Sequence, residues 1–268
     1  MPKEDAPLPS LQSIPDSAWQ SLAQKRIFFG HQSVGFNIVQ GIEDLMRENP
    51  QIKLNLVETD DPAAFDGPVF AHARNGSNND PHSKCVAFTR TLEKGIGGKV
   101  DIAVLKFCYV DFSASSQVAE IFSDYRRTLD HLKQAFPNTT FVHVTVPLTT
   151  VQTGFKVPIK KLIGRAIDGY EENIVRNRFN FMLRAEFAGK EPFFDLARAE
   201  STFAVGTRSL FELQGKTYEA LAPEYTKDGG HLNPEGRKKV AEQLLIALAR
   251  LAEQSPSGLR AEAIAKGR

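Results

Sequence analysis

Short apolar runs recur along the chain with longer stretches of helical periodicity between them, and that alternation restricts the possible folds more than any other feature. Strand-like runs fall at residues 27–30, 52–58, 101–107, 140–147 and 192–196. Between them, Val34, Ile38, Ile42, Leu45 and Met46 repeat at helical spacing until Asn49-Pro50. A second stretch, 116–136, keeps Val118, Ile121, Phe122, Tyr125, Leu129, Leu132 and Phe136 on one stripe. A third covers 168–187 with Tyr170, Ile174, Phe181 and Phe187, and a fourth begins at Asn233-Pro234 and carries Val240, Leu244, Leu245, Leu248 and Leu251. Strands that alternate with helices predict an α/β fold. The expected form is a three-layer α/β/α sandwich, flavodoxin-like, with about five parallel strands.

In such sheets ligands bind beyond the carboxyl ends of the strands, where the strand order reverses. Two chemistry-bearing segments map to that edge. Asp228-Gly229-Gly230-His231 lies on the loop entering the last helix, which Asn233 caps and Pro234 opens. A carboxylate three residues before an imidazole can fix its tautomer and stabilise the imidazolium. At the other end, His31-Gln32-Ser33-Val34-Gly35 follows the first strand directly, and the Ser33 hydroxyl is the candidate nucleophile. A plain serine N-cap is the bland use of the same residue, and Asp228 and His231 could equally serve only backbone groups of their loop.

Taken together, these blocks resemble the SGNH (GDSL-type) hydrolase superfamily. His72-Ala73-Arg74-Asn75-Gly76-Ser77-Asn78-Asn79-Asp80-Pro81 resembles its second block, a glycine-bearing loop, and Lys106-Phe107-Cys108-Tyr109-Val110-Asp111 occupies the place of its third. The resemblance implies a serine esterase of small acyl esters, with a carbohydrate as one possible alcohol. It assigns Ser33, His231 and Asp228 to the catalytic triad. An oxyanion hole of Ser33 N–H, Gly76 N–H and the Asn78 side-chain amide is implied with it. Two departures stand out. Gly30-His31-Gln32-Ser33 replaces Gly-Asp-Ser, and Val110 stands where the family places an oxyanion-binding asparagine, although valine has no donor. Asp111, Asn75, Asp80 and Lys84 are read as bracing residues. Two other classes stay open: an O-acyltransferase to a sugar hydroxyl, and a non-catalytic carbohydrate-binding module that keeps the pocket.

Composition sets the outer limits. The 268 residues are 41% hydrophobic and carry 33 basic against 32 acidic side chains, so one sizeable core is possible and no field recruits nucleic acid or an anionic membrane. Residues 156–161 and 237–239 are locally basic and read as solvated faces. No apolar run reaches the ~18 residues of a membrane span. The chain as given reads as soluble, periplasmic or secreted if a leader preceded it and cytoplasmic otherwise. Cys85 and Cys108 read as two buried thiols, with a single bridge as the alternative. None of His72, His82, His131 and His143 pairs at ligand spacing, so neither metal nor cofactor is expected. The anticipated organisation is a lead-in with a short helix (1–24), one α/β domain (25–254) and a flexible tail (255–268). Within the domain, 149–164 is expected to border the site as a loop or lid. Residues 202–226, with Phe203, Phe211, Tyr218 and Tyr225, are expected to be irregular.

Overall fold

A computed structural model describes residues 7–154 and 167–254. The expected tail, and residues 155–164 of the expected lid, lie outside the described residues. After helix α1 (Asp16–Ala23) come β1 (Arg26–His31), α2 (Val34–Glu48), β2 (Leu56–Glu58), β3 (Val69–Arg74), α3 (Pro81–Thr91), β4 (Ile102–Leu105), α4 (Val118–Ala135) and β5 (Thr140–Val144). The chain continues through α5 (Tyr170–Phe187), β6 (Phe193–Phe194), α6 (Leu196–Ser201), the strands β7 (Leu210–Leu213) and β8 (Lys216–Glu219), and α7 (Pro234–Gln254).

Strands β1 to β6 form one parallel sheet in the order β2-β3-β1-β4-β5-β6. Five of them follow the flavodoxin order, and the short β2 adds a sixth at the edge. Alternate residues of β1 explain the layers. Ile27 and Phe29 pack into a core shared with Trp19 of α1, Ile38 of α2 and Leu244 of α7. Phe28 packs the other way, with Phe88 of α3, Leu129 of α4 and Phe179 of α5. A strand covered on both faces reads as a continuous apolar run, which is why 27–30 was so visible.

The order reverses between β1 and β4, which pair from Ile27↔Ile102 to Gly30↔Leu105. The crevice at their carboxyl ends therefore receives the Ser33 turn from β1 and the 108–111 turn from β4. Helix α7 is tied to α2 beside it: Asn37 Oδ1 accepts from the Leu232 N–H at 3.1 Å, and Arg237 Nε donates to Asp44 at 2.7 Å. Those bonds join residues about 195 apart in sequence and bring the His231 loop over the start of α2.

Two expectations need correction. His72, Ala73 and Arg74 belong to β3 rather than to a loop, since β3 runs parallel to β1 with His31 opposite Arg74. The 202–226 region is not uniformly irregular: β7 and β8 form an antiparallel hairpin whose Phe211 packs with Tyr170 and Ile174. Its turn is Gln214-Gly215, both at positive φ, as a two-residue hairpin of this hand requires. Cys85 and Cys108 are both buried and free, which bears out their reading as two buried thiols over the alternative of a bridge.

Candidate active site

Strand β1 ends at His31, and two residues later the chain turns sharply into α2. Ser33 occupies that turn with φ 52° and ψ −113°, a conformation costing a non-glycine residue about 1–3 kcal/mol. Burial of Val34 behind it and the clamping of Gln32 in front hold it there. Gln32 Nε2 donates to the Asn75 carbonyl at 3.3 Å and also to that of Gly76, while Cys108 Sγ donates to the Gln32 carbonyl at 3.4 Å. The Ser33 side chain makes no capping bond to the helix. Its Oγ lies instead 2.7 Å from His231 Nε2.

The His231 loop is organised by Asp228. One carboxylate oxygen accepts from the Gly230 N–H at 2.9 Å and the His231 N–H at 2.8 Å; the other lies 2.7 Å from His231 Nδ1. The N–H of Gly230, foremost, with the bond to His231, holds the Asp228 carboxyl well below the usual carboxylate range. With the carboxylate at Nδ1, the proton of a neutral imidazole resides on Nδ1 and Nε2 is left to accept from Ser33. Asn233 then starts α7, its Oδ1 accepting from Glu235 and Gly236. This rim is open: the side chains of His231 and Asp228 are 46% and 57% exposed.

Beneath the rim lies a dry ionic floor. Lys84 of α3 and Asp111 pair at 2.8 Å with both side chains fully buried. Asp111 also accepts from the N–H groups of Asn79 at 3.0 Å and Cys108 at 2.7 Å, so it fixes the 75–80 loop and the 108–111 turn together. Gly76 has φ 62°, and a Cβ there would sit 2.7 Å from the Lys84 backbone, so only glycine fits the loop this close to α3. Asn75 Nδ2 donates to the Lys84 carbonyl, and Asp80 caps α3 through the Ser83 N–H. Asn78 is exposed, and its Oδ1 accepts from Lys84 Nζ at 3.2 Å, which turns its NH2 group away from the lysine. Among the described residues no hydrogen bond joins Asn78 to Ser33 or His231.

His31 completes the floor. Its ring is buried, 3.2 Å from His72 Nδ1 and packed against Phe29 and Phe36. Burial, with the positive charges of Lys106 and Arg74 nearby, pushes its pKa down to about 2, so it stays a neutral spacer behind Ser33.

Two residues of the site were missed by sequence reasoning. Tyr109 stands edge-on to the His231 ring at 5.8 Å between centroids, and Arg176 of α5 donates from Nε to the Tyr109 carbonyl at 3.0 Å. The signal for Tyr109 was its place in the third block beside Val110; for Arg176 there was none, since it comes from a helix 67 residues away. Tyr109, Thr149, Thr150, Gln152, Asp228 and Gly230 line a cleft of about 530 Å3 beside His231. Among the described residues no group of three or more His, Cys, Asp or Glu side chains is arranged to hold a metal ion. No helix among them is long and apolar enough to cross a membrane.

No protein-family model matches the sequence, and no curated protein matches it. Solved structures do. A protein from Bacteroides fragilis, provisionally described as an acylhydrolase, aligns over 90% of this chain and 97% of its own at 16% identity, with a TM-score of 0.50. The chain shares the fold of that protein. A GDSL-like lipase from Bacteroides thetaiotaomicron aligns over 88% of this chain and 100% of its own at 14% identity, with a TM-score of 0.49. At such identities the likeness concerns the fold, and the chemistry must be argued from the side chains of this chain.

Proposed function

We propose that this protein is a serine ester hydrolase acting on small acyl esters through an acyl-enzyme. The observation that carries the reading is the unbroken line Ser33 Oγ, His231, Asp228, with 2.7 Å at each junction. In this reading His231 Nε2 takes the Ser33 proton as Oγ attacks the ester carbonyl, Asp228 stabilises the imidazolium, and His231 then protonates the departing alcohol. Water, entering over the open rim, is activated by the same imidazole and releases the acid. The developing oxyanion is held by the Ser33 and Gly76 N–H groups. Gln32, bonded to the Gly76 carbonyl, keeps that loop against the Ser33 turn.

The hydroxyl and amide side chains of Thr149, Thr150 and Gln152 in the cleft suit a hydroxylated alcohol moiety such as a sugar. The test is release of acetate from a p-nitrophenyl ester and from an acetylated sugar. Wild-type protein should turn over both, and Ser33→Ala should lose at least ~10³-fold in kcat without loss of the fold. Full activity in that variant contradicts the assignment. Product analysis with added polyol separates hydrolysis, which yields free acid, from transfer, which yields a new ester.

A further inference from the structure

Resting on the reading of Ser33 as nucleophile, we propose that the Tyr109 hydroxyl is a catalytic hydrogen-bond donor to the oxyanion, taking the role for which Val110 has no donor. Tyr109 opens the short helical turn Tyr109–Asp111 at the end of β4. That turn is rigid because Asp111 accepts from the Cys108 N–H and is itself locked by Lys84. From the other side Arg176 grips the Tyr109 carbonyl and places its guanidinium carbon 5.6 Å from the ring centroid. The ring is thus held at both ends.

Its hydroxyl stands against the His231 loop. A Cβ added to Gly230 would lie 2.8 Å from Tyr109 Oη, so the phenol occupies space that only glycine leaves beside His231. The ring stands edge-on to that of His231 at 5.8 Å between centroids, and His231 Nε2 lies 2.7 Å from Ser33 Oγ. A donor beside His231 at the mouth of the cleft, on a turn braced from both sides, meets the requirement for stabilising charge that appears only as the tetrahedral intermediate forms. Burial, followed by the Asp228 charge, raises the Tyr109 pKa, and the guanidinium over the ring pulls the other way, so at neutral pH the phenol is a protonated donor. The balance of the step is complete without proton transfer from Tyr109. Ser33 Oγ bonds to the carbonyl carbon, its proton passes to His231 Nε2, the carbonyl π pair moves to oxygen, and the Tyr109 O–H donates a hydrogen bond to that oxygen while keeping its proton.

Tyr109→Phe keeps the ring against Gly230, His231 and Arg176 and removes only the donor. Loss of one oxyanion donor typically lowers turnover ~10²–10³-fold. The variant should show a fall of that size in kcat with KM changed by less than about threefold, since the contact strengthens only at the transition state. Affinity for a short alkylboronic acid, which forms a tetrahedral adduct on an active serine, should weaken by a similar factor, while inhibition by acetate stays as in the wild type. Wild-type kcat in Tyr109→Phe, or a fall in kcat with boronate affinity unchanged, overturns the assignment. A wild-type protein inert to both ester and boronate overturns the Ser33 reading and the Tyr109 role with it. A wild type active on both beside an unaltered Tyr109→Phe overturns the Tyr109 role alone.

Discussion

Asp111 and Asp228 lie at the same edge of the sheet and make nearly the same bonds, yet their surroundings are opposite. Each accepts two backbone N–H groups and holds one basic side chain within 2.8 Å. Asp111 does so with Lys84 in full burial, while Asp228 and His231 stand about half exposed. A charge pair removed from water is stable only while both partners are present, because either one alone is an uncompensated ion. A pair in contact with water contributes little to folding, so its geometry is available for chemistry. The histidines repeat the contrast: His31 is sealed behind the Ser33 turn as a neutral ring, and His231 stands half exposed beside Ser33 Oγ.

Asp228→Asn should break this comparison most sharply if it is wrong. Turnover should fall ~10³–10⁴-fold, because the amide no longer fixes the His231 tautomer. Stability should change by under about 1 kcal/mol, as expected of an exposed pair. Urea unfolding and ester kinetics on one preparation check both halves. Asp111→Asn should invert the pattern. It strands a buried lysine, so unfolding free energy should drop by about 3–5 kcal/mol, with any loss of turnover following loss of folded protein. Equal stability in the two variants would dissolve the distinction.

A smaller effect sharpens it. His31 stays neutral in the folded state down to about 2, whereas in the unfolded chain it takes a proton below its ordinary 6.5. Between those values the unfolded chain binds more protons, so this contribution to stability is whole above 6.5 and is lost as the pH falls. From pH 7 to 5 the loss is about 2 kcal/mol. His31→Gln should flatten the pH dependence of the urea midpoint by that amount, and an unchanged slope would place the sensitivity elsewhere.

How far the sequence could be read follows from the same division between local and long-range effects. Asp228, His231 and the Asn233 cap share one loop, so their relation is written in adjacent residues. The sheet was visible wherever a strand is apolar on both faces, as in β1 and β4. Strand β3 was hidden because His72 and Arg74 interrupt its run, and the buried His72 finds its polar partner in His31 of β1. Helix α3 was missed since its buried positions include Lys84, whose carboxylate partner is supplied from another element. The β7–β8 hairpin could have been found from Gln214-Gly215 between two alternating runs. Tyr109 could not be placed, because what gives its hydroxyl meaning is a glycine more than a hundred residues further on.

Activation of Ser33 by His231 and Asp228, as proposed above, can be read out by covalent labelling with a fluorophosphonate followed by peptide mass mapping. One adduct is expected, on the peptide holding Ser33, formed in wild-type protein and absent from a folded His231→Ala variant. An intact protein that takes no label, or that labels at Ser33 equally well without His231, would contradict it and leave a pocket that binds without turnover.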